Sequence, residues 1–148
     1  MTRPARASAA GEAEGSALVL SHALSFWGVI DVETGRIIDH GHPDRGSCVT
    51  GLILVMPGGR GSSSSASVFA ESIRQGTGPA GIVLATSDPI LTAGALVADL
   101  LYGARCPVVV CPIEGIATGD RLRIHADPNG ASEVMVLPAG QPSHGPHC

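Results

Sequence analysis

The sequence contains no lysine, and all nine of its cationic residues are arginines. This absence excludes Schiff-base chemistry and the phosphate-binding lysine of a P-loop. Only 3% of the residues are aromatic and the formal net charge is −4, so the chain lacks the basic face and the stacking rings that bind nucleic acid. No apolar run approaches the length of a membrane span, and the first ten residues lack the apolar segment of a secretory signal. We therefore expect a cytoplasmic protein.

The chain has four cysteines, at Cys48, Cys106, Cys111 and Cys148. None belongs to a Cys-x-x-Cys pair, so we expect neither a metal site nor a disulfide from this set. Cys106 and Cys111 flank a short apolar run and are expected to be small core residues. The histidines lie mostly in loops and in a Pro/Gly/Ser-rich tail, and we predict no metal site there either.

The length of 148 residues and the 44% hydrophobic content suit one compact domain. We predict a mobile arm over residues 1–15, the domain itself over residues 16–138, and a flexible tail over residues 139–148. Within the domain, near-continuous apolar runs at residues 52–56, 81–84 and 108–110 predict buried strands. Helical patterns predict helices over residues 62–75 and 90–102, the second with Asp88 as N-cap and Pro89 in its first turn.

The last part of the domain predicts a hairpin that turns at residues 127–130. The second helix is apolar on nearly all sides, which predicts burial, either within this chain or against a partner. The predicted order of elements is strand, helix, strand, helix, strand. With right-handed crossovers, this order gives a parallel central sheet. Extra strands from both ends of the domain can close that sheet into a barrel-like layer, so the predicted class is α/β.

A glycine- and serine-rich stretch follows the first buried strand: Gly59, Arg60, Gly61, Ser62, Ser63, Ser64 and Ser65. It lies between that strand and the first helix, so its backbone N–H groups and the positive end of the helix point to one place. Such a site can hold an anion, or stabilise the negative charge on a serine oxygen that acts as a base. The alternative is a helix cap after a flexible turn.

Several separate motifs stand in a definite order: residues 24–28 (LSFWG), Asp31, residues 34–39 (TGRIID), 42–43 (HP), 51–57, 59–63 (GRGSS), 76–77 (GT), 79–80 (PA), 88–90 (DPI), 93–95 (AGA), 107–109 (PVV) and 119–120 (GD). In order and spacing they resemble the small subunit of the aconitase X family, over about residues 15–137. This resemblance implies the swivelling β/β/α domain of the aconitase type, with a partly parallel sheet, flanking helices and a barrel-like layer.

The resemblance also implies an activity. The family's enzymes are hydro-lyases, acting on cis-3-hydroxy-L-proline in bacterial members and on mevalonate 5-phosphate in archaeal ones. In the family the serine at the position of Ser62 accepts the proton, and a large subunit carries an iron–sulfur cluster. We therefore expect Ser62 to be the base and Arg60, Gly61, Ser63 and Ser64 to contact substrate. The cluster would be bound by the large subunit in a heterodimer, and this chain would bind no metal.

Three alternatives stay open. The substrate could be mevalonate 5-phosphate rather than cis-3-hydroxy-L-proline. The chain could be a scaffold without a catalytic residue, or a free anion-binding module. A phosphohistidine carrier of similar fold would need a histidine where this chain has Ser62, which argues against phosphotransfer.

Overall fold

The computed structural model describes residues 2–20, 30–38, 41, 45–58 and 64–137. Seven strands and two helices occur in these ranges, in the order β1 (Thr2–Ala9), β2 (Gly11–Val19), β3 (Ile53–Met56), α1 (Ser64–Gln75), β4 (Gly81–Leu84), α2 (Pro89–Tyr102), β5 (Val108–Val110), β6 (Arg121–Ala126) and β7 (Ser132–Leu137). Neither helix is long and apolar enough to cross a bilayer.

The strands form a closed barrel in the order β1-β5-β4-β3-β2-β6-β7, with β7 paired to β1. The four neighbours β2, β3, β4 and β5 run parallel, and the remaining pairs are antiparallel. Two successive crossovers carry α1 and α2, so both helices begin at the carboxyl ends of the parallel strands. The predicted α/β class, with its partly parallel sheet closed by extra strands, is confirmed.

Two apolar cores lie on the two sides of the parallel strands. Alternate strand residues face opposite sides of a sheet. One set packs under the helices with the fully buried Phe69: Leu54, Met56, Ile82, Leu84 and Val108. The other set fills the barrel together with residues of the hairpin: Ile53, Val55, Val83, Val109, Leu122, Ile124 and Val134. Because both faces of these strands are covered, nearly all of their residues are apolar, and the sequence shows them as continuous apolar runs.

The N-terminal residues differ from the prediction of a mobile arm over residues 1–15. Residues 2–15 supply β1 and more than half of β2, and β1 closes the barrel between β5 and β7. Their small residues obscured the alternation that marks a strand. Residues 36 and 37 form only isolated bridges, Arg36 to Cys48 and Ile37 to Ile30. The predicted tail at residues 139–148 lies outside the described residues.

Helix α2 begins as predicted but is not buried on all sides. The Asp88 carboxylate accepts hydrogen bonds from the N–H groups of Ile90 and Leu91, and Pro89 occupies the first turn. Buried residues form one stripe of the helix: Leu91, Gly94, Ala95 and Ala98. Large apolar side chains further along are exposed: Leu96, Val97, Leu100, Leu101 and Tyr102. Within this chain α2 is therefore buried along one stripe only, and burial of its other apolar residues against a partner stays a prediction.

Candidate active site

The glycine- and serine-rich stretch joins the carboxyl end of β3 to the start of α1. Helix α1 begins at Ser64, so Ser62 and Ser63 directly precede its first residue. Arg60, Gly61, Ser62 and Ser63 lie outside the described residues, and Ser64 is described only as the first helical residue. The predicted order of strand, turn and helix is therefore confirmed on both sides of the motif, and the roles of its five site residues stay predictions.

The loop after β4 continues the hydrogen bonding of the sheet beyond the strand ends. The Ala85 N–H donates to the Met56 carbonyl at 3.2 Å, and the Thr86 N–H donates to the Pro57 carbonyl at 3.1 Å. The Thr86 hydroxyl donates to the same Pro57 carbonyl at 3.0 Å. The chain therefore leaves β3 tied to the β4–α2 loop, immediately before the motif begins.

The two helix N-termini at this edge differ electrostatically. Asp88 Oδ1 accepts from the Ile90 N–H at 2.8 Å and from the Leu91 N–H at 3.3 Å, so a carboxylate compensates the positive end of α2. The first turn of α1 contains no acidic residue. The N-terminus of α1 thus keeps its positive potential at the place where Ser62 stands in the sequence, and this favours negative charge there.

Helix α1 is held firmly enough to present its N-terminus in one position. Phe69 is fully buried and Ser65 is buried one residue into the helix. Helix α2 approaches α1 closely at Gly94: a Cβ there would lie 2.8 Å from both the Ala66 carbonyl oxygen and Phe69 Cδ2. A side chain at this position would push the helices apart, so the glycine permits the close packing that fixes α1.

A groove among the described residues lies away from the motif. Its volume is about 440 Å³, and Glu12, Glu14, Arg123 and His125 contribute to its lining. These residues lie on β2 and β6, beyond the amino ends of the parallel strands, as the register of Ala17 with Ile53 shows. Hydrogen bonds from Arg121 and Arg123 lower the pKa of Glu14. These charges pair with one another along the sheet, so we interpret the groove as the outer face of a salt-bridged ladder.

The described cysteines do not fit an iron–sulfur cluster. Cluster ligands are thiolates gathered around the iron atoms, but Cys106 and Cys111 lie in the two different apolar cores. Burial raises the pKa of the Cys106 thiol to about 12 and also raises the pKa of Cys111. Both are free and buried, as predicted, whereas Cys48 is disulfide-bonded, which corrects the expectation for that residue. In the part of the chain that the structure describes, no three metal-ligating side chains come together.

The buried Cys106 thiol predicts a pH dependence of stability. Its pKa is about 12 in the folded protein against an ordinary 9.0, so the folded state holds this proton more tightly than the unfolded state does. The resulting stability is complete below pH 9 and is lost as the pH rises from 9 towards 12. Above pH 9 we expect the free energy of unfolding to fall more steeply in the wild type than in Cys106→Ala. The difference between the two slopes should be roughly 1 kcal/mol per pH unit. Denaturant titrations from pH 7 to pH 10.5 measure this, and parallel curves would contradict it.

The chain is similar to known proteins in both sequence and structure. A family model described as the aconitase X swivel domain matches residues 3–134. The chain belongs to this family. A chain of Thermococcus kodakaraensis aconitase X superposes with a TM-score of 0.83 at 30% sequence identity, covering 93% of this chain and 99% of that one. The predicted family and the swivel fold are both confirmed.

Relatives of this swivel domain carry two names. The cis-3-hydroxy-L-proline dehydratase of Pseudomonas aeruginosa is 39% identical over 128 residues, which is 80% of this chain but 22% of that protein. The phosphomevalonate dehydratase small subunit of Methanopyrus kandleri is 38% identical over 125 residues, covering 82% of this chain and 87% of that one. The chain thus spans about a fifth of the hydroxyproline dehydratases and most of the small subunit. Both names are those of dehydratases.

Sequence reasoning missed Thr86. The residue lies two positions after the end of β4, and polar residues just after a parallel strand meet at the carboxyl edge of the sheet, where α/β proteins bind ligands. That position was the available signal. The pairing of Thr86 with Pro57 depends on the register of β3 and β4, which the sequence does not show.

Proposed function

We propose that this swivel domain supplies the general base of an aconitase X-type dehydratase whose substrate is cis-3-hydroxy-L-proline. The observation that supports the proposal is the start of α1 at Ser64, two residues after Ser62 in the sequence, with no acidic residue in the first turn of the helix. Ser62 is the base, and Arg60, Gly61, Ser63 and Ser64 bind the substrate. Arg60 pairs with the substrate carboxylate.

The proposed reaction removes a proton next to that carboxylate. The C2–H bond breaks and the proton passes to Ser62 Oγ, which accepts it as an alkoxide stabilised by the helix N-terminus. The electron pair of that bond forms the C2–C3 double bond, and the hydroxyl on C3 leaves with its bonding pair. A pyrroline-2-carboxylate results after the enamine rearranges.

The departing hydroxide needs a Lewis acid, and the described thiols of this chain do not fit an iron–sulfur cluster. We propose that the cluster is bound by a large subunit or by the remainder of a longer chain. The second arrangement is considered because the chain matches only about a fifth of the length of the hydroxyproline dehydratases. The two parts together form the heterodimeric or fused enzyme.

The neighbourhood of the motif favours cis-3-hydroxy-L-proline, which carries no phosphate, over a phosphorylated substrate. The described residues that flank it, 56–58 and 85–87, carry no cationic side chain, and the whole chain has no lysine. A phosphate is ordinarily bound by several cationic or N–H donors. Mevalonate 5-phosphate is the second candidate, favoured by the small subunits that this chain matches over most of their length.

A direct assay separates these candidates. The enzyme assembled from this chain and a large aconitase X subunit is incubated under anaerobic conditions with each substrate, and product is followed by mass spectrometry. We expect kcat/KM for cis-3-hydroxy-L-proline to exceed that for mevalonate 5-phosphate by at least about 100-fold, because a site rejects an analogue whose charged group finds no partner. Preference for the phosphate would assign the second function, and turnover of neither would overturn both.

A further inference from the structure

The two loops at the carboxyl edge of the parallel strands are joined by one side chain. Thr86 makes two hydrogen bonds to a single acceptor, the Pro57 carbonyl, through its N–H at 3.1 Å and its hydroxyl at 3.0 Å. Its side chain also lies over Gly58, where an added Cβ would be 2.9 Å from Thr86 Oγ1. Gly58 directly precedes the glycine- and serine-rich stretch in the sequence.

The loop that carries Thr86 is itself anchored. Asp88, two residues later, is buried and caps α2 through the N–H groups of Ile90 and Leu91. The carbonyl of Asp88 also accepts a hydrogen bond from the Thr92 hydroxyl at 2.9 Å. Thr86 therefore belongs to a loop that is anchored to α2, and its hydrogen bonds to the Pro57 carbonyl connect Pro57 to that loop.

We propose that Thr86 is a positioning residue for catalysis: by holding the Pro57 carbonyl it sets the direction in which the chain enters the motif, and thereby the position of Ser62. This rests on the proposed function of Ser62. Ser62 follows Pro57 by only five residues. A small displacement of the backbone at Pro57 therefore also displaces the hydroxyl oxygen of Ser62. A displacement of about 1 Å in a catalytic group can reduce the rate by about 100-fold.

The exposed position of Thr86 supports a role beyond folding. The hydroxyl is near the surface, where water competes for the same carbonyl, and such a bond contributes little to global stability. The N–H bond from the same residue suffices to continue the ladder between the loops. The additional hydroxyl bond restrains the Pro57 peptide and the glycine after it, which is the segment whose direction matters for Ser62.

The test uses three variants in the assembled enzyme. Thr86→Val keeps the shape and removes the hydroxyl, Thr86→Ser restores it, and Thr92→Val is the matched control because it removes another threonine-to-carbonyl bond of the same region. We expect Thr86→Val to lower kcat by about 10- to 100-fold while KM changes less than about twofold and the melting temperature stays close to wild type. Thr86→Ser should recover most of kcat, and Thr92→Val should keep it.

A second measurement separates this proposal from the function of the enzyme. The N–H of residue 86 donates to the Pro57 carbonyl, so its hydrogen–deuterium exchange reports this contact and needs no substrate. Loss of the hydroxyl bond should speed exchange of this N–H, relative to its intrinsic rate, by about tenfold in Thr86→Val only. Unchanged exchange, wild-type kcat in Thr86→Val, or equal losses in Thr86→Ser would overturn the positioning role. Faster exchange in an enzyme that turns over neither substrate would retain it and reject the proposed function.

Discussion

Substituting Ser62 by alanine is expected to lower kcat of the assembled enzyme by about a thousandfold, with the complex intact. General bases contribute about 10²- to 10⁴-fold to proton transfer, and alanine offers no atom that accepts a proton. Ser62 precedes the first residue of α1 by two positions, and its substitution by alanine removes only a hydroxyl oxygen and no apolar atom. The measurement is steady-state turnover of cis-3-hydroxy-L-proline, with complex formation followed by size-exclusion chromatography.

Ser67→Ala is the matched control for this prediction. Ser67 is an exposed residue of the same helix, and its replacement makes the same chemical change one turn away from the motif. We expect wild-type kcat from this variant. Full activity in Ser62→Ala would reduce the chain to a scaffold subunit, and a complex that fails to assemble would assign Ser62 to the interface instead of the chemistry.

Leu91→Ala is expected to destabilise the domain by about 2–5 kcal/mol, the range for deleting a buried leucine side chain. Leu91 is 2% exposed and belongs to the core between the helices and the sheet. Domains of this size are stabilised by only about 5–15 kcal/mol, so the melting temperature should fall by roughly 10 °C. Differential scanning calorimetry of the isolated chain measures the shift.

Leu100→Ala on the same helix provides the control. Leu100 is 83% exposed, so its truncation removes almost no buried surface and should change stability by less than about 0.5 kcal/mol. The two variants share the helix, the residue type and the substitution, and differ in burial. A loss at Leu100 as large as that at Leu91 would contradict the described orientation of α2.

Local patterns in the sequence predicted the central parallel unit well. The strands β3, β4 and β5 were recognised because a sheet covered on both faces needs uninterrupted apolar residues. The start of α2 was recognised because Asp88 and Pro89 are the residue types that cap and begin a helix. The hairpin of β6 and β7 turns within residues 127–130 as predicted, and the family motifs led to the family that the comparisons confirm.

The closure of the barrel was decided by tertiary structure. Strand β1 pairs with β7, for example Thr2 with Met135, across nearly the whole length of the chain. Such a contact has no signature in local periodicity, and the alanines and glycines of residues 1–15 hide the alternation of a strand. The exposure of Leu100 and the pairing of Thr86 with Pro57 depend likewise on which elements become neighbours.

The sequence by itself thus determined the chemistry that the motif makes available and the local elements that surround it, because residue type and spacing act over a few residues. Only the tertiary structure decided which edge of the sheet these elements share and that Thr86 bonds the Pro57 carbonyl there. Those properties arise when segments distant in the chain pack together, and packing depends on all of them at once.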